Sequence, residues 1–338
     1  MTTPTVSVLL PVRNGGRWLE ASLASLTRQS LPAFEIIAVD DGSDDNSGAL
    51  LDDWTARDSR FTVVHQPADG LVAALNRGLE HCRAPLVARM DADDISHPRR
   101  LELQAARFGA RSEVGVVSCL VRHFPSRSVA KGFRLYEGWL NSLVIHDEIK
   151  RERFIESPVA HPSVMIRRDI LTGIGGWRDP GWAEDYDLWL RLLQAGVIFD
   201  KIERPLFFWR EHRERLTRTD ARYSVPSFLR CKAHYLVRGP LASSSKVIIW
   251  GAGQTGRRLS KFLIDEGAAI AAVVDIDPKK IGGTLRGIEV IAPDGLPSLL
   301  DDDTVVLAAV ASRGARDLIR TRLVELGLDE GKTFWCVA

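Results

Sequence analysis

Cysteine is scarce in this 338-residue chain, and the four present, Cys82, Cys119, Cys231 and Cys336, lie far apart. With no C-x-x-C pair and no Cys/His ligand spacing, a disulfide framework and a structural zinc are excluded, and a reducing cytoplasm fits best. An excess of one charge is lacking too. The 45 basic and 44 acidic side chains nearly cancel to a formal charge of +1, so no overall electrostatic footprint for nucleic acid exists and any anion site is local. No apolar run approaches the ~20 residues of a membrane span, and Met1-Thr2-Thr3-Pro4 opens without the charged and apolar regions of a secretion signal. The expectation is a cytoplasmic protein, at most peripheral at the inner face of a membrane. No repeat of solenoid period is visible.

What is present reads as globular. Hydrophobic residues make up 45% and charged residues 26%, and the length suits two domains at roughly 100–200 residues each. Val6 to Leu10 is an apolar run followed by a polar loop and an amphipathic stretch, Trp18–Ser30, which predicts strand, loop, helix. The pattern repeats with strands at Glu35–Val39, Phe61–His65 and Leu86–Met90 and helices at Ser47–Arg57 and Leu71–Cys82. Such alternation predicts an α/β fold with a mostly parallel sheet, its ligand crevice beyond the carboxyl ends of the strands, where the loops after Leu10, Val39 and Met90 converge. Pro98 suits the first position of a helix through Phe108, and Val114–Phe124 predicts a further strand. Residues 126–157 have mixed periodicity and give no firm reading. A helix near Ala183 precedes strands at Val197–Ile202 and Leu206–Trp209. Thr217–Leu241 reads as basic and irregular, and a second strand-loop-helix series then begins at Lys246. The expected division is 1–216, a basic linker or helical connector 217–245, and a smaller α/β domain 246–338.

Three acidic clusters carry candidate chemistry. Arg89-Met90-Asp91-Ala92-Asp93-Asp94 ends an apolar strand, and carboxylates at i and i+2 of an extended segment point the same way. Hard Mg²⁺ or Mn²⁺ with a diphosphate would turn that geometry into a ligand set, whereas the bland alternatives are a solvated turn or a helix cap. In Val39-Asp40-Asp41-Gly42-Ser43-Asp44-Asp45, Asp40 sits at the strand end, where a carboxylate can accept from a base N–H or a ribose hydroxyl. Asp45 or Ser47 is equally explained as a cap. Glu184-Asp185-Tyr186-Asp187 opens a helix, where acidic residues often serve only as dipole partners. Trp189 and its neighbouring leucines read as core.

Taken together with the Asn14 loop, His161-Pro162-Ser163-Val164-Met165 and Gly175-Gly176-Trp177-Arg178, these clusters resemble the family 2 glycosyltransferases of GT-A fold, in order across roughly residues 5–215. The resemblance implies an inverting enzyme that takes a nucleotide-diphosphate sugar with Mg²⁺ or Mn²⁺ and a glycan or lipid-linked acceptor, in assembly of a cell-surface glycan or glycoconjugate. It implies donor contacts from Pro11, Val12, Arg13, Asn14, Asp40, Asp41, Arg89 and Asp91, metal ligation by Asp91 and Asp93, and Asp185 as the general base. Phe208-Trp209-Arg210-Glu211-His212 resembles an aromatic-Arg-x-His element that brings His212 to the metal or Arg210 to the diphosphate. His161 and Glu184 are further candidates for acceptor or phosphate contacts, with a core histidine as the alternative for His161. Many relatives carry an acidic residue soon after Asn14, where this chain has Gly15-Gly16. A Gln-x-x-Arg-Trp motif is absent, which removes a feature of processive synthases.

After residue 246, Gly251-Ala252-Gly253-Gln254-Thr255-Gly256 follows a strand and opens a helix, with Asp275 ending the next strand. That context suits a nucleotide held on the helix N-terminus, and a packing or dimerisation domain that kept its turn glycines is the alternative. The segment resembles the Rossmann-like modules appended to several transferases. Homo-oligomers are among the expected assemblies. Two other readings remain: a sugar-phosphate nucleotidyltransferase, for which Pro11-Val12-Arg13-Asn14-Gly15-Gly16 is a poor substitute for a basic glycine-rich loop, and a nucleotide-sensing protein with an inert first domain.

Overall fold

Val6–Val12 (β1) is buried along its whole length, as a strand covered on both faces must be. The computed structural model describes residues 3–338, and in it the chain forms two compact units. The first comprises Met1–Ile149, Pro158–Pro180 and Asp187–Thr219; the second comprises Lys150–Ser157, Gly181–Tyr186 and Asp220–Ala338.

The first unit is built on an eight-stranded sheet containing β1, β2 (Phe34–Asp41), β3 (Phe61–Gln66), β4 (Leu86–Arg89), β5 (Ile95–Ser96), β6 (Val114–Phe124), β7 (Met165–Arg167) and β8 (Ile198–Arg210). Its order is β3-β2-β1-β4-β7-β6-β8-β5. β1 pairs in parallel with both β2 and β4, so the ends of these three strands lie side by side at the point where the strand order reverses. Alternation along β1 sorts the core: Val6, Val8, Leu10 and Val12 pack with Leu19, Leu23 and Leu26 of the helix Gly16–Thr27. Leu9 points the other way, onto Leu75 and Leu79 of the helix Leu71–His81 and the fully buried Trp189. Each fully buried leucine contributes about 2–3 kcal/mol of transfer free energy, which makes β1 a costly place to truncate.

Several expectations are corrected. The two strands expected at Val197–Ile202 and Leu206–Trp209 are one, β8, whose register against β6 jumps from Ile202 to Pro205. Pro205 sits at that bulge, a place where a strand tolerates proline, and it is the residue that makes the sequence look interrupted. Pro98 lies in the turn before its helix, which begins at Arg100. The unparsed stretch holds helices Lys131–Ser142 and His146–Glu152. Within the stretch expected to be a basic linker or helical connector lies the helix Val225–Val237; Ser224 caps it by accepting from the Ser227 amide, and Pro226 occupies its first turn.

The second unit carries a six-stranded sheet of β9 (Lys246–Trp250), β10 (Ile270–Val274), β11 (Thr284–Leu285), β12 (Ile288–Ile291), β13 (Thr304–Ala308) and β14 (Phe334–Cys336), in the order β11-β12-β10-β9-β13-β14. All neighbours are parallel except the β11–β12 hairpin. Its two-residue turn, Arg286-Gly287, has both φ angles positive, at 55° and 80°, as the hairpin twist demands. No helix among the described residues is long and apolar enough to cross a membrane.

Candidate active site

The crevice expected beyond β1, β2 and β4 is tied together by side chains. Asn14, at φ 52°, donates its amide N–H to Ser43 Oγ at 3.0 Å and accepts from the Asp44 amide at 2.9 Å, joining the loops after β1 and β2. Ser22, on the helix after β1, donates to the Asp91 carbonyl at 3.0 Å, fastening the loop after β4. Pro11 and Val12 are buried at the end of β1, while Arg13 is exposed, its Nη1 3.8 Å from Asp41.

Asp40 and Asp41 are both buried yet differently employed. Asp41 accepts from Gln66 Nε2 at 2.8 Å and from the amides of Asp69 and Gly70, so its carboxylate holds the entry to the helix Leu71–His81. Gly42 completes that turn: at φ 62°, a Cβ would sit 2.7 Å from the Ala68 nitrogen. Asp40 accepts from the Ser43 amide and meets His65 Nδ1 at 3.1 Å. His65 also meets Asp52 at 3.0 Å, and hydrogen bonds first to Asp52 and then to Asp40 raise its pKa. The sequence reading missed His65, although its position at the carboxyl end of β3, directly across from Asp40, was available as a signal. Asp45 accepts from the Ser47 amide at 2.9 Å, in line with the capping alternative.

The Asp91–Asp94 segment is a turn rather than the extended run expected, closed by the Asp94 amide donating to the Asp91 carbonyl. The turn still gathers its carboxylates: one oxygen from each of Asp91, Asp93 and Asp94 lies within 4.8 Å of the others. Arg89, buried at the end of β4, pairs through Nη2 with Asp91 Oδ1 at 2.7 Å. Asp93 Oδ2 meets His212 Nε2 at 2.6 Å, and despite the opposing cost of burial, that hydrogen bond and the nearby positive charges lower the Asp93 pKa. Asp94 is buried and surrounded by like charge. Burial first, then Asp93 and Asp91, push its pKa well above the carboxylate range, while its Oδ1 accepts from the Arg210 amide at 2.6 Å. Its Oδ2 and the His212 Nδ1 are both buried without a hydrogen-bond partner.

Arg210 is clamped over this turn. Its Nε donates to the Asp93 carbonyl at 2.5 Å, and its guanidinium carbon lies 4.2 Å from the Trp18 ring centroid and 4.4 Å from that of Phe124. A cation between two aromatic faces is held in place by their quadrupoles. Behind the turn, the fully buried Arg100 donates to the Pro162 and Arg89 carbonyls, and burial pushes its pKa down to about 10. Trp18 and Arg100 had no sequence signal, because Trp18 meets Arg210 and Arg100 reaches the Pro162 carbonyl, partners far off in the sequence.

The family 2 glycosyl transferase profile matches residues 7–175, half of the chain. The chain belongs to glycosyl transferase family 2. Among curated family relatives, the O-antigen biosynthesis glycosyltransferase WbnJ of Escherichia coli is 26% identical over 67% of this chain and 89% of its own length. The UDP-Gal:alpha-D-GlcNAc-diphosphoundecaprenol beta-1,3-galactosyltransferase of Escherichia coli is 27% identical over 69% of this chain and 84% of its own. The solved structure of S. aureus TarS 1-349 in complex with UDP-GlcNAc superposes with a TM-score of 0.54 at 17% identity, covering 77% of this chain and 71% of that one, a likeness of fold. The protein is therefore a glycosyltransferase with the GT-A architecture. A second profile, C2185-like, N-terminal, matches residues 243–334.

The remaining family-motif residues fall in different settings. His161 is buried and accepts from Trp177 Nε1 at 2.9 Å, with the Trp189 ring edge-on to it, an environment that favours the core-histidine alternative. Asp187 pairs with Arg191, whose Nη2 donates to the Gly176 carbonyl, so the Gly175-Gly176-Trp177 motif anchors the body of the helix Glu184–Gln194. The first turn of that helix belongs to the second unit. There Glu184 is buried and accepts from the Tyr223 hydroxyl at 2.9 and 2.7 Å. Asp185 is partly exposed and accepts from the Tyr186 amide; burial, then the charges of Glu184 and Glu156, raise its pKa well above the ordinary value.

In the second unit, the glycine loop borders a cleft of about 650 Å³ lined by Gly251, Gly253, Asp275, Ile276, Lys280 and Leu318, among others. A Cβ on Gly256 would lie 1.7 Å from the Gly251 carbonyl oxygen, so this glycine lets helix and strand cross, while nothing lies within 4 Å of a Cβ on Gly253. Asp275 is already engaged: it accepts from the amides of Ala252 and Asp277 and from Lys280 Nζ.

Proposed function

We propose that the protein is an inverting, non-processive, metal-dependent glycosyltransferase that moves a sugar from a nucleotide-diphosphate donor to a hydroxyl on a glycan or lipid-linked acceptor, working in the cytoplasm or peripherally at the inner membrane face. The observation that carries this reading is the turn Asp91–Asp94, where three carboxylates and His212 converge at the carboxyl ends of parallel strands. The donor set suits a hard divalent cation: oxygen ligands, a histidine, and carboxylates gathered so that burial, then the neighbouring Asp93 and Asp91 charges, raise the Asp94 pKa. Asp91, Asp93 and His212 would hold Mg²⁺ or Mn²⁺, which when bound supplies Lewis-acid stabilisation to the departing diphosphate.

The chain's own residues have distinct tasks in this reading. Asp40 accepts from the nucleoside, while Asp41 and Asn14 keep its loop in shape. Arg89 fixes the Asp91 carboxylate, and Arg210 offers positive charge beside the diphosphate. Asp185 takes the proton from the acceptor hydroxyl as the new bond to the anomeric carbon forms and the bond to the phosphate oxygen breaks, with inversion at that carbon. Its raised pKa supports this role, because a carboxylate that binds a proton more tightly is, once ionised, the stronger base. Incubation with a panel of nucleotide-diphosphate sugars and Mn²⁺, followed by NMR of the product, is the test. The reading expects metal-dependent transfer of single residues with the opposite anomeric configuration; retention of configuration or repeated addition would contradict it.

A second site is supported by the cleft in the Rossmann-like second unit. We read it as a binding site for a nucleotide or its fragment, with a phosphate lying over Gly253, where space is open. Because Asp275 is engaged by the loop itself, it shapes the cleft more than it offers a free acceptor. No metal-ligating cluster accompanies the cleft among the described residues, and binding without turnover is the expectation. Calorimetry with mono- and dinucleotides is the check, and absence of binding at millimolar concentration leaves the packing alternative.

A further inference from the structure

We propose that the outer face of the helix Lys131–Ser142, together with the segment leading into it, docks on an anionic phospholipid surface. The proposal rests on the peripheral-membrane part of the reading above and gives that contact a place. Between Glu113 and Glu137 the sequence contains no acidic residue, although the chain as a whole is nearly neutral. In that interval Arg122, Arg127, Lys131 and Arg134 are all exposed. The helix is fastened from its inner side: Leu140 is buried, Asn141 exchanges both of its amide bonds with Val121, and Glu137 accepts from the His123 amide and ring. Helical spacing then leaves Lys131, Arg134, Leu135, Gly138 and Ser142 on the outer side.

Apolar exposure coincides with this cationic face. Among the described residues of the first unit, the exposed large hydrophobic side chains are Leu135 at 50%, Ile145 at 56% and Leu216 at 40%. Leu135 stands between the outward cations, Ile145 follows the end of the helix, and Leu216 lies two residues from Arg218, whose guanidinium sits 4.8 Å from the Phe133 ring centroid. Of the acidic residues nearby, Glu137 is committed to His123 and Glu211 to Arg215 and Arg218, while the exposed Asp147 and Glu214 lie at the margins beside Ile145 and Leu216. On the stretch from Arg122 to Leu135, cations interspersed with a protruding aliphatic group match an interface of phosphate headgroups over acyl chains. A nucleic acid would use the charge and leave the aliphatic groups exposed.

The location is consistent with the chemistry. Phe124, at the head of this segment, is paired with Arg210 across β6 and β8, and Arg210 donates to Asp94. Docking by this face therefore brings the acidic turn close to the lipid surface, where a lipid-borne acceptor presents its hydroxyl.

Sedimentation of the full chain with vesicles tests the proposal. Binding is expected to vesicles containing phosphatidylglycerol but not to phosphatidylcholine alone, and to weaken as salt rises. The triple variant Arg127→Glu, Lys131→Glu, Arg134→Glu should bind roughly 100-fold more weakly. Leu135→Asp should weaken binding less, and both variants should keep the wild-type rate of donor hydrolysis in solution, which shows that they fold. If the wild type fails to bind the anionic vesicles, the docking surface and the peripheral reading fall together. If the wild type binds and the triple variant binds equally well, the surface is wrong and the peripheral reading stands. Equal binding to neutral vesicles overturns the charge argument.

Discussion

The acidic turn after β4 and the glycine loop after β9 occupy comparable places, each beyond the carboxyl end of a parallel strand inside its sheet. Their contents differ. The first gathers Asp91, Asp93, Asp94 and His212 in a small volume, leaving Asp94 Oδ2 and His212 Nδ1 buried without partners. The second has open space over Gly253 and two carboxylates: Asp275, already satisfied by the loop and Lys280, and Asp277, 3.7 Å from the same Lys280. A parallel sheet supplies a place for a ligand in both cases, but reactivity needs groups whose bonding is incomplete until the ligand arrives. By that criterion the first loop suits the chemistry proposed for it, and the second suits only the binding proposed for it.

The sharpest way to break this contrast is Asp93→Ala. Removing a carboxylate from the turn should lower transfer by at least 10²–10³-fold and abolish its dependence on metal, while the thermal unfolding curve stays close to wild type. Next comes Asp185→Asn, which keeps the shape but cannot take a proton; kcat should fall by about 10²–10⁴-fold with donor affinity little changed, as single-turnover and binding data would separate. In the second unit, Gly256→Ala should destabilise by about 1–3 kcal/mol or more, because the new Cβ meets the Gly251 carbonyl. Gly253→Val should leave the fold nearly untouched and weaken any nucleotide bound in the cleft. If the two glycine variants behaved alike in unfolding experiments, the distinction between a packing glycine and a ligand-facing one would be lost.

The smallest expected effect lies in the pH dependence of stability. A carboxyl whose folded pKa is raised binds protons more tightly when folded, so it costs stability as pH climbs from the ordinary carboxylate range through the raised value. Asp185→Asn removes that cost, and its melting temperature should exceed wild type by a few degrees at pH 8, with the difference shrinking on acidification. The same raised value predicts that wild-type turnover declines on acidification before an ordinary carboxylate would protonate, since the base must be charged to act.

Much of the fold was legible in the sequence because the buried strands announce themselves. β1, β2 and β6 are apolar runs bounded by polar loops, and Ser47–Arg57 and Val114–Phe124 were placed to the residue. The failures have physical causes. Pro205 simulated a strand break because a bulge cannot be inferred without the partner strand. The bounds of the helix Val225–Val237, inside a stretch read as a basic linker or helical connector, were blurred by its basic residues, of which Lys232 is buried. At the site, Asp40, Asp91, Asp93 and His212 were visible as strand-end residues or motif members. Trp18, Arg100 and Tyr223 were not, because each acquires its role from a residue distant in sequence, whereas His65 stood at a predicted strand end and was passed over. The acidic turn shows the limit most plainly: residue spacing located the cluster, but tertiary contacts with Arg89, Arg210 and His212 determine which oxygens remain available.

Calorimetric titration of the wild type and Asp93→Ala with the diphosphate of the preferred donor nucleoside, with Mn²⁺ and again with EDTA, addresses the central claim most directly. The account predicts binding to the wild type only when Mn²⁺ is present and no metal-dependent binding to the variant. Equal affinity in all four titrations would contradict it and return the Asp91–Asp94 segment to the status of a solvated turn.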